Sequence, residues 1–457
     1  MNYFKGKKIT IAGLARSGAC SVKVLAGRGA LVTASDIKPE QELAEFTGML
    51  SGVNYKLETG GHSEEAFLGA DLVVVSPGVP LNTPLFEKVR AKGIPVIGEI
   101  ELAYSLLKGN FIGITGTKGK TTTTTMTGLI LSRGSSRVKT AGNIGNPLAS
   151  MVDGEPDTLF VLELSSFQLE TIKEFKPYIA AITNVSEDHM DRYKSLQEYI
   201  EAKAMIFRNQ TRNEYLILNA NDKYTPLYTS MASSSIIYFN SKAELEEGAF
   251  LRDGWITVRF RGGEYRIIRA SDLLVKGMHN VENAMVASLI GVLMRITPSV
   301  IGEVLAKFEG VEHRQEFVGE VNGVKFINNS QGTNIDAVEK SFLSYANPVV
   351  AIMGGRNKGS NFAKLADTVK QKVKKIILIG EAKGEIRAAL SGSTELVDAA
   401  TLEEAVRLAY KSAEPGDVVM LSPACASFDM FKDYRDRGRV FKEAVAKVKK
   451  EESAAWI

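Results

Sequence analysis

The sequence predicts an α/β protein of three domains, each with its own mostly parallel sheet. Short runs rich in Val and Ile recur along the 457 residues, and most of these runs are apolar at nearly every position. Each run ends in a glycine or a polar turn and is followed by a helical pattern. Runs that are apolar on both faces and alternate with helices are typical of buried parallel strands.

The order of these runs gives the expected domain boundaries. A Rossmann-like domain is expected at 1–108, a P-loop-type ATPase domain with a mostly parallel sheet at 109–310, and a second Rossmann-like domain at 311–457. Short alternating pieces between about 232 and 270 are expected to add antiparallel strands to the middle domain. The runs are KITIAG, ALVTASD and DLVVVSPG, then NFIGITG, TLFVLELSS, YIAAITNVS and EYLILNA, and finally VKFINN, PVVAIMGG, KKIILIG and DVVMLSP.

Composition narrows the function classes. A formal charge of +3 is close to neutral for this length, so neither a nucleic-acid partner nor a membrane surface is implied. The two cysteines, Cys20 and Cys425, lie far apart, which argues for a reducing compartment. No stretch approaches about 20 uninterrupted apolar residues, so no membrane insertion is expected. We expect a cytoplasmic protein.

The first strand runs directly into a helix through the turn GLARSGA. Such a turn is a ready anion site, and Asp36 ends the second strand, where an acid often meets a ribose hydroxyl. However, Gly13 and Gly18 do not complete a G-x-G-x-x-G motif, because Ala15 stands where the second glycine would be. The turn is therefore either a nucleotide site or a close strand–helix crossing.

The middle domain carries the stronger signal, GITGTKGKTTTTT at 113–125. The common P-loop is G-x-x-x-x-G-K-[ST], and counting back from Gly119 reaches Ile114, with Gly113 one place too early. Strand, glycine turn, Lys-Thr and helix nevertheless follow in the order a phosphate loop needs. Lys120 would reach the β- and γ-phosphates and Thr121 would give its hydroxyl to Mg²⁺. Later threonines, from Thr123 onward, would only pack.

Three further residues fit a metal-assisted ATP site. Glu163 ends the apolar run TLFVL, and His189 follows the next strand in NVSEDHMDRY. A charged residue at the end of a buried strand commonly has a partner, and a metal ion is a reasonable one. Lys203 lies on or beside the apolar face of the helical segment LQEYIEAKAMIF, where a lysine would by default extend to solvent.

The last domain places polar turns after its strands. Arg314, Thr333, Lys358 and Ser427 are donors of the kind that bind phosphates and carboxylates. Cys425 has no histidine nearby in sequence, so burial is expected for it rather than a nucleophilic role.

Together GITGTKGKTT, ELSSFQLE, NVSEDHMDRY with the later AK, and LSPACASFDMF resemble the Mur ligases, the amino-acid-adding enzymes of peptidoglycan synthesis. The resemblance spans the whole chain in order, and this family is similar in placing its early glycine one residue ahead of the common P-loop. It implies three domains for a sugar nucleotide, ATP and an amino acid. The last stretch and the short first domain are most similar to the D-glutamate-adding member.

The resemblance also implies site residues. Those for the UDP-N-acetylmuramoyl-L-alanine substrate would be Ala15, Arg16, Ser17, Asp36, Lys38, Ser76, Pro77, Gly78, Asn143 and Ser165. Those for ATP would be Gly116, Thr117, Lys118, Gly119, Lys120, Thr121, Thr122, Asn280, Asn283, Arg314 and Asn329. Those for D-glutamate would be Thr333, Lys358, Ser427, Phe428 and Tyr434. Those for two Mg²⁺ ions, with Mn²⁺ as a substitute, would be Thr121, Glu163, His189 and a CO₂-derived carbamate on Lys203, and the catalytic set would be Lys120, Lys203 and His189.

The implied reaction joins D-glutamate to the substrate's alanyl carboxylate through an acyl phosphate, in the cytoplasm and as a monomer. One stretch departs from the family: where it usually has D-S-K-x-T-N, this chain has NNSQGTN, so Gln331 lacks a lysine's charge. We hypothesise that Lys358 and Arg314 bind the anion without it. The alternatives are another ligase of the superfamily, such as a folylpolyglutamate synthase or a Mur ligase for a different amino acid, an oxidoreductase, or a non-enzymatic ATP switch.

Overall fold

The computed structural model describes residues 3–135, 137–190, 192–357 and 359–454. The chain divides into two compact units, Met1–Phe308 and Glu309–Ile457. The first unit contains two sheets and the second contains one. The expected α/β class with three mostly parallel sheets is confirmed. The expected boundary between 108 and 109, within the first unit, stays a prediction.

The first sheet is fully parallel, with strand order β3-β2-β1-β4-β5. This is the order of one half of a Rossmann fold, which places ligands at the carboxyl ends of the strands. Its strands are β1 (Lys8–Ala12), β2 (Leu31–Ser35), β3 (Lys56–Glu58), β4 (Leu72–Val75) and β5 (Val96–Gly98). Its helices are α1 (Arg16–Ala26), α2 (Ala44–Gly48), α3 (Glu64–Leu68), α4 (Pro84–Ala91) and α5 (Glu99–Leu106), with a 3₁₀ turn at Glu40–Leu43.

Helix α5 leads from the first sheet into the second and is fastened by two buried carboxylates. Glu99 accepts a hydrogen bond from the backbone N–H of Ala149. Glu101 accepts three backbone N–H groups, those of residues 173 to 175. Burial raises the pKa of Glu99 to about 7. Its Oε2 is buried and has no hydrogen-bond partner in the described part of the chain.

The second sheet has nine strands in the order β14-β13-β12-β11-β10-β9-β6-β8-β7. Neighbouring strands from β7 to β12 in this order are parallel, whereas the β12–β13 and β13–β14 pairs are antiparallel. The expected antiparallel addition is therefore confirmed for β13 and β14, while β11, in the same predicted stretch, is parallel to both of its neighbours. The strands are β6 (Gly109–Thr115), β7 (Val138–Gly142), β8 (Thr158–Glu163), β9 (Ile179–Ile182), β10 (Tyr215–Asn219), β11 (Ser235–Asn240), β12 (Gly248–Arg252), β13 (Trp255–Phe260) and β14 (Gly263–Arg269). The helices are α6 (Lys120–Leu131), α7 (Ser166–Leu169), α8 (Leu196–Ala204), α9 (Thr225–Met231), α10 (Met278–Leu293) and α11 (Pro298–Ala306), with 3₁₀ turns at Leu148–Met151, Met205–Phe207 and Ala270–Asp272.

The third sheet has the order β15-β16-β20-β17-β18-β19, with only β15 antiparallel to its neighbour. Alternate residues of its strands pack into two buried clusters, for example Ala351 in one and Ile352 in the other, so both faces are covered. Its strands are β15 (Glu316–Val321), β16 (Val324–Asn328), β17 (Val349–Gly354), β18 (Val373–Ile379), β19 (Glu395–Asp398) and β20 (Val418–Leu421). The helices are α12 (Ile335–Leu343), α13 (Ala366–Lys372), α14 (Lys383–Leu390), α15 (Leu402–Ser412) and α16 (Tyr434–Ala454), with a 3₁₀ turn at Phe362–Leu365.

Across these four described ranges, no helix has both the length and the apolar character that crossing a bilayer requires.

Candidate active site

The glycine turn between β6 and α6 requires glycine at two positions. Gly116 has φ +145°, and a Cβ there would lie 2.0 Å from Thr183 Oγ1. Gly119 has φ +84°, and a Cβ there would lie 2.3 Å from Asn283 Oδ1. Gly113, in contrast, is an ordinary residue of β6, paired with β8 and β9. The turn is therefore Gly116–Gly119, which accounts for the mismatch of Gly113 with the common spacing.

Residues at and just after the end of β9 make hydrogen bonds to residues 117 and 118 of this turn. The backbone N–H groups of Thr117 and Lys118 donate to the backbone and side-chain oxygens of Asn184, each at 2.9 Å. The Thr183 hydroxyl donates to the Lys118 carbonyl at 2.6 Å. The N–H groups in the first turn of a helix such as α6 have no intrahelical acceptor, and the helix dipole favours an anion there. The expected cofactor residues 116–122 thus lie together in this turn and the first turn of α6, and anion binding there stays a prediction.

Two lysines meet at one carbonyl of the turn. Lys120 Nζ donates to the Gly116 and Thr117 carbonyls at 2.8 and 2.9 Å. Lys203 Nζ donates to the same Gly116 carbonyl at 2.8 Å, although it comes from the distant helix α8. Lys203 is only 1% exposed, so the expectation that it extends to solvent is wrong. Burial lowers the pKa of Lys203 well below its ordinary value, and the charge of Lys120 lowers it further.

Tyr199 contacts both Lys203 and the glycine turn. Its hydroxyl is 3.3 Å from Thr117 Oγ1, and Lys203 Nζ lies 4.3 Å from the centre of its ring. Burial raises the pKa of Tyr199 to about 12, so the hydroxyl keeps its proton at neutral pH. Sequence reasoning missed Tyr199, which belongs to the apolar face of the predicted helical segment LQEYIEAKAMIF. Its spacing of four residues from Lys203 was the available signal, since residues i and i+4 share a helix face.

Glu163 ends β8 and is 2% exposed. Its Oε1 accepts a hydrogen bond from Asn143 Nδ2 at 2.7 Å. Its Oε2 is buried, and no group in the described residues bonds to it. A buried, unpaired carboxylate oxygen fits a hard cation such as Mg²⁺. The described residues contain no cluster of three His, Cys, Asp or Glu side chains suited to a metal. Mg²⁺ often takes few protein ligands and completes its shell with phosphates and water, so that result is compatible with a nucleotide-bound ion.

His189 is exposed and lies near helix α8. Its ring lies 4.8 Å from that of Phe167 and 6.4 Å from that of Tyr199, measured between centres. Its backbone has φ +56°, an uncommon conformation for a residue other than glycine. Its Nε2 is 3.8 Å from Asp188 Oδ2. The structure thus brings His189 next to Tyr199, and its expected metal role stays a prediction.

Two of the expected ATP residues, Asn280 and Asn283, lie at the start of α10. Asn283 is buried and accepts a hydrogen bond from Thr123 Oγ1 at 3.1 Å. It also donates to Asn280 Oδ1 at 3.2 Å. Thr123 therefore does more than pack, since it helps fix Asn283 against the phosphate turn.

Ser165 caps α7 through a reciprocal pair of hydrogen bonds with Gln168.

The turn after β1 forms a close strand–helix crossing. A Cβ on Gly18 would lie 2.0 Å from the Gly13 carbonyl, and Ser76 Oγ donates to that carbonyl at 2.7 Å. Asp36 accepts the backbone N–H groups of Leu14 and Lys38, one on each carboxylate oxygen. The expected substrate residues Ala15, Arg16, Ser17, Asp36, Lys38, Ser76, Pro77 and Gly78 follow the carboxyl ends of β1, β2 and β4. The structure thus contains the crossing, and a ligand at the same edge stays a prediction.

The Glu309–Ile457 unit contains the remaining candidates. Asn329 is buried, donates to Ser422 Oγ at 3.1 Å and accepts from the Gln315 backbone N–H. The candidates in the turns are the exposed Arg314 and Phe428, the half-buried Thr333 and Tyr434, and the buried Ser427. Lys358 lies outside the described residues. Cys425 is buried, and burial raises the pKa of its thiol to about 12, as a structural role requires.

Arg437 in this unit was missed by sequence reasoning. It is 1% exposed and donates to Ser330 Oγ, the Ser330 carbonyl and the Cys425 carbonyl. The buried guanidinium therefore ties the NNSQGTN turn to the SPACASF turn. No sequence pattern distinguishes it from the other arginines of α16.

Comparison with solved structures finds proteins that share this fold. UDP-N-acetylmuramate–alanine ligase from Thermotoga maritima superposes with a TM-score of 0.54 at 20% identity, covering 97% of this chain and 100% of that one. MurF from Acinetobacter baumannii superposes with a TM-score of 0.52 at 18% identity, covering 96% and 92%. At these identities the likeness concerns the fold alone.

Sequence comparison narrows the class to one family. Family models match a Mur ligase MurD-like N-terminal domain at residues 7–98, a Mur ligase middle domain at 114–291 and a Mur ligase glutamate ligase domain at 313–425. The chain is 45% identical to UDP-N-acetylmuramoylalanine–D-glutamate ligase of Geotalea daltonii, over 96% of this chain and 97% of that protein. It is 43% identical to the protein of the same name from Koribacter versatilis, over 98% and 99%. This chain belongs to the Mur ligase family.

Proposed function

We propose that this protein is the ligase that joins D-glutamate to UDP-N-acetylmuramoyl-L-alanine, with conversion of ATP to ADP and phosphate, in the synthesis of peptidoglycan precursors. The observation that carries the proposal is the convergence in the second sheet of a glycine phosphate turn, the buried carboxylate of Glu163 and the buried amine of Lys203. The full-length similarity to ligases named for this reaction supports the choice of amino acid.

The reaction needs activation because a carboxylate is a poor acyl donor at neutral pH. The alanyl carboxylate oxygen attacks the γ-phosphorus of ATP, the bond to the β,γ-bridging oxygen breaks, and an acyl phosphate and ADP form. The amine of D-glutamate then attacks the acyl carbon, phosphate leaves, and the amine loses a proton as the amide forms. Both reactants of the first step are anions, so positive charge must lie between them.

Residues of the phosphate turn supply part of that charge. Lys120 Nζ lies over the turn, bonded to the carbonyls of Gly116 and Thr117. When ATP binds, we expect Lys120 to exchange these carbonyls for phosphate oxygens, while the first turn of α6 binds the β-phosphate. Asn280 and Asn283 would contact adenine, and Arg314 and Asn329 the phosphates and ribose.

Two Mg²⁺ ions would neutralise and align the phosphoryl group, with Mn²⁺ as a substitute. Thr121 and Glu163 would hold one of them, and His189 with a carbamate on Lys203 the other. The buried, unbonded Oε2 of Glu163 fits this assignment. The low pKa of Lys203 favours an uncharged amine, and such an amine adds to CO₂ with loss of a proton to give the carbamate anion.

The remaining assignments concern the other two substrates. Residues at the edge of the first sheet would bind the UDP part of the sugar nucleotide, and Asn143 and Ser165 its alanyl end. Thr333, Lys358, Ser427, Phe428 and Tyr434 would bind the carboxylates of D-glutamate. We further propose domains at 1–108, 109–310 and 311–457, a cytoplasmic location and a monomeric state.

The test is phosphate release by purified protein given ATP, Mg²⁺ and UDP-N-acetylmuramoyl-L-alanine. D-glutamate should stimulate release, whereas L-glutamate, L-alanine and meso-diaminopimelate should not, and Lys120→Met should abolish the stimulated rate. Stimulation by one of the other amino acids would identify a different ligase of the superfamily. Full-rate ATP turnover without any acceptor would indicate an ATP switch instead.

A further inference from the structure

The carboxylate of Glu163 has two oxygens in unlike surroundings. Oε1 accepts the 2.7 Å hydrogen bond from Asn143 Nδ2, whereas the buried Oε2 has no partner within the described ranges. Leaving a buried acceptor unbonded costs about 1–3 kcal/mol, which a protein tolerates where the atom has another use. The bond to Oε1 fixes the rotation of the carboxylate and so determines where Oε2 lies.

Asn143 is itself held against Glu163 by the backbone. Strand β7 pairs in parallel with β8 so that Gly142 is opposite Glu163. The backbone N–H of Asn143 donates to the Glu163 carbonyl at 2.8 Å. Gly142 has φ +99°, and a Cβ there would lie 2.3 Å from that carbonyl, so only glycine permits this approach. The side-chain bond is therefore built on a fixed backbone contact between the same two residues.

We propose that Asn143 is a positioning residue for the magnesium site, acting by orienting the Glu163 carboxylate so that Oε2 is presented to the cation. The inference rests on the proposed function only in taking Glu163 as a magnesium ligand. This positioning role is additional to the contact between Asn143 and the alanyl end of the sugar nucleotide, which the family pattern implies. One amide N–H makes the bond to Glu163, and the amide's other groups have no partner in the part of the chain the structure describes.

The test compares two asparagines of one turn. Partners behind a metal ligand commonly contribute about 10- to 100-fold to metal affinity. We expect Asn143→Ala to weaken Mn²⁺ binding by about that factor, measured by electron paramagnetic resonance with a non-hydrolysable ATP analogue and no sugar nucleotide. Asn146→Ala is the matched control, because within the described residues Asn146 takes part in the turn through its backbone carbonyl, which accepts the Gly142 N–H, and its side chain makes no hydrogen bond there. Metal-free affinity for the analogue should be unchanged in both variants.

A double-mutant cycle separates positioning from general damage to the turn. In a Glu163→Gln background, Asn143→Ala should have no further effect on Mn²⁺ affinity, because the residue it acts through no longer carries the charge. If Asn143→Ala does not fold, Asn143→Gln serves as the second variant, because one extra methylene displaces the amide from Glu163. The same loss of Mn²⁺ affinity is expected for it. Mn²⁺ affinity within about threefold of wild type in Asn143→Ala, or additive losses in the cycle, would overturn the proposal. D-Glutamate-stimulated phosphate release by the wild type tests the proposed function separately.

Discussion

Replacing Lys203 by alanine tests the most unusual environment in the phosphate site. The substitution removes a side chain that is 1% exposed and bonded to the Gly116 carbonyl. If Lys203 acts as a carbamate anion, Lys203→Ala should lower kcat by at least 10²- to 10³-fold, the loss that is typical when one preorganised charge-stabilising group is removed. A small carboxylic acid such as acetate should restore part of the rate, because it supplies a carboxylate to the space left by the side chain.

The proposed reaction of Lys203 with CO₂ requires an uncharged amine, which burial of this lysine favours. A lysine with the ordinary pKa of 10.5 is uncharged in roughly one molecule in 3,000 at pH 7. Each unit by which burial lowers a lysine pKa raises that fraction about tenfold, until the amine is mostly neutral. Between the lowered pKa of Lys203 in the folded protein and the value of 10.5 in the unfolded chain, the unfolded chain binds more protons than the folded protein. The free energy of unfolding therefore rises with pH across this interval.

The direct assay is ¹³C NMR of protein equilibrated with ¹³C-labelled bicarbonate. Wild type should give a carbamate resonance that disappears in Lys203→Ala and in Lys203→Arg, and the arginine variant should not be rescued by acetate. A wild-type spectrum without the resonance under conditions of full activity would refute the carbamate. An active Lys203→Ala enzyme would refute any chemical role for this residue.

Three further outcomes are expected. Tyr199→Phe, which keeps the ring near Lys203 and loses the contact with Thr117, should raise the KM for ATP by about 2- to 10-fold, the equivalent of one hydrogen bond of about 0.5–1.5 kcal/mol, and an unchanged KM would show that the hydroxyl is idle. The pKa of Glu99 is about 7 in the folded protein and 4.5 in the unfolded chain, so the folded state binds more protons between these values. The free energy of unfolding should therefore fall as pH rises from 4.5 to 7, by at most about 3 kcal/mol. Glu99→Gln should flatten this part of the dependence of urea unfolding on pH, and equal slopes for the two proteins would contradict the burial argument. Gln331→Lys should change kcat/KM for D-glutamate by less than about tenfold, or about 1.4 kcal/mol, whereas a larger gain would show that Gln331 is a deficit of this chain.

The sequence was most informative where local signals and burial agree. Runs apolar at nearly every position predicted the inner parallel strands of the three sheets, whereas no predicted run corresponds to the parallel edge strands β3, β5, β7 and β19. The glycine, lysine and threonine at 116–122 predicted the turn from a strand into a helix. Lys203 was predicted less well, because periodicity places a residue on a helix face and does not show what packs over it. Its burial depends on the turn at Gly116, 87 positions earlier.

Contacts that depend on how strands pair and where turns meet were beyond local reasoning. The bond between Asn143 and Glu163 exists because β7 and β8 pair in one particular register, and a shift of one residue would point the two side chains to opposite faces. The burial of Arg437 likewise depends on two turns that meet only in the folded sheet.

The position of β20 has a consequence for synthesis of the chain. This strand, Val418–Leu421, lies between β16 and β17, so the middle of the third sheet is filled by a segment that is synthesised after both of its neighbours. Until it emerges from the ribosome, β16 and β17 each have an unpaired edge in a nascent polypeptide, and such edges invite aggregation. The nine strands of the preceding sheet are all synthesised by residue 269, before the first strand of the third sheet begins at Glu316. A ribosome stalled before residue 418 should therefore display a protease-resistant nucleotide-binding portion joined to a tail that is still readily digested.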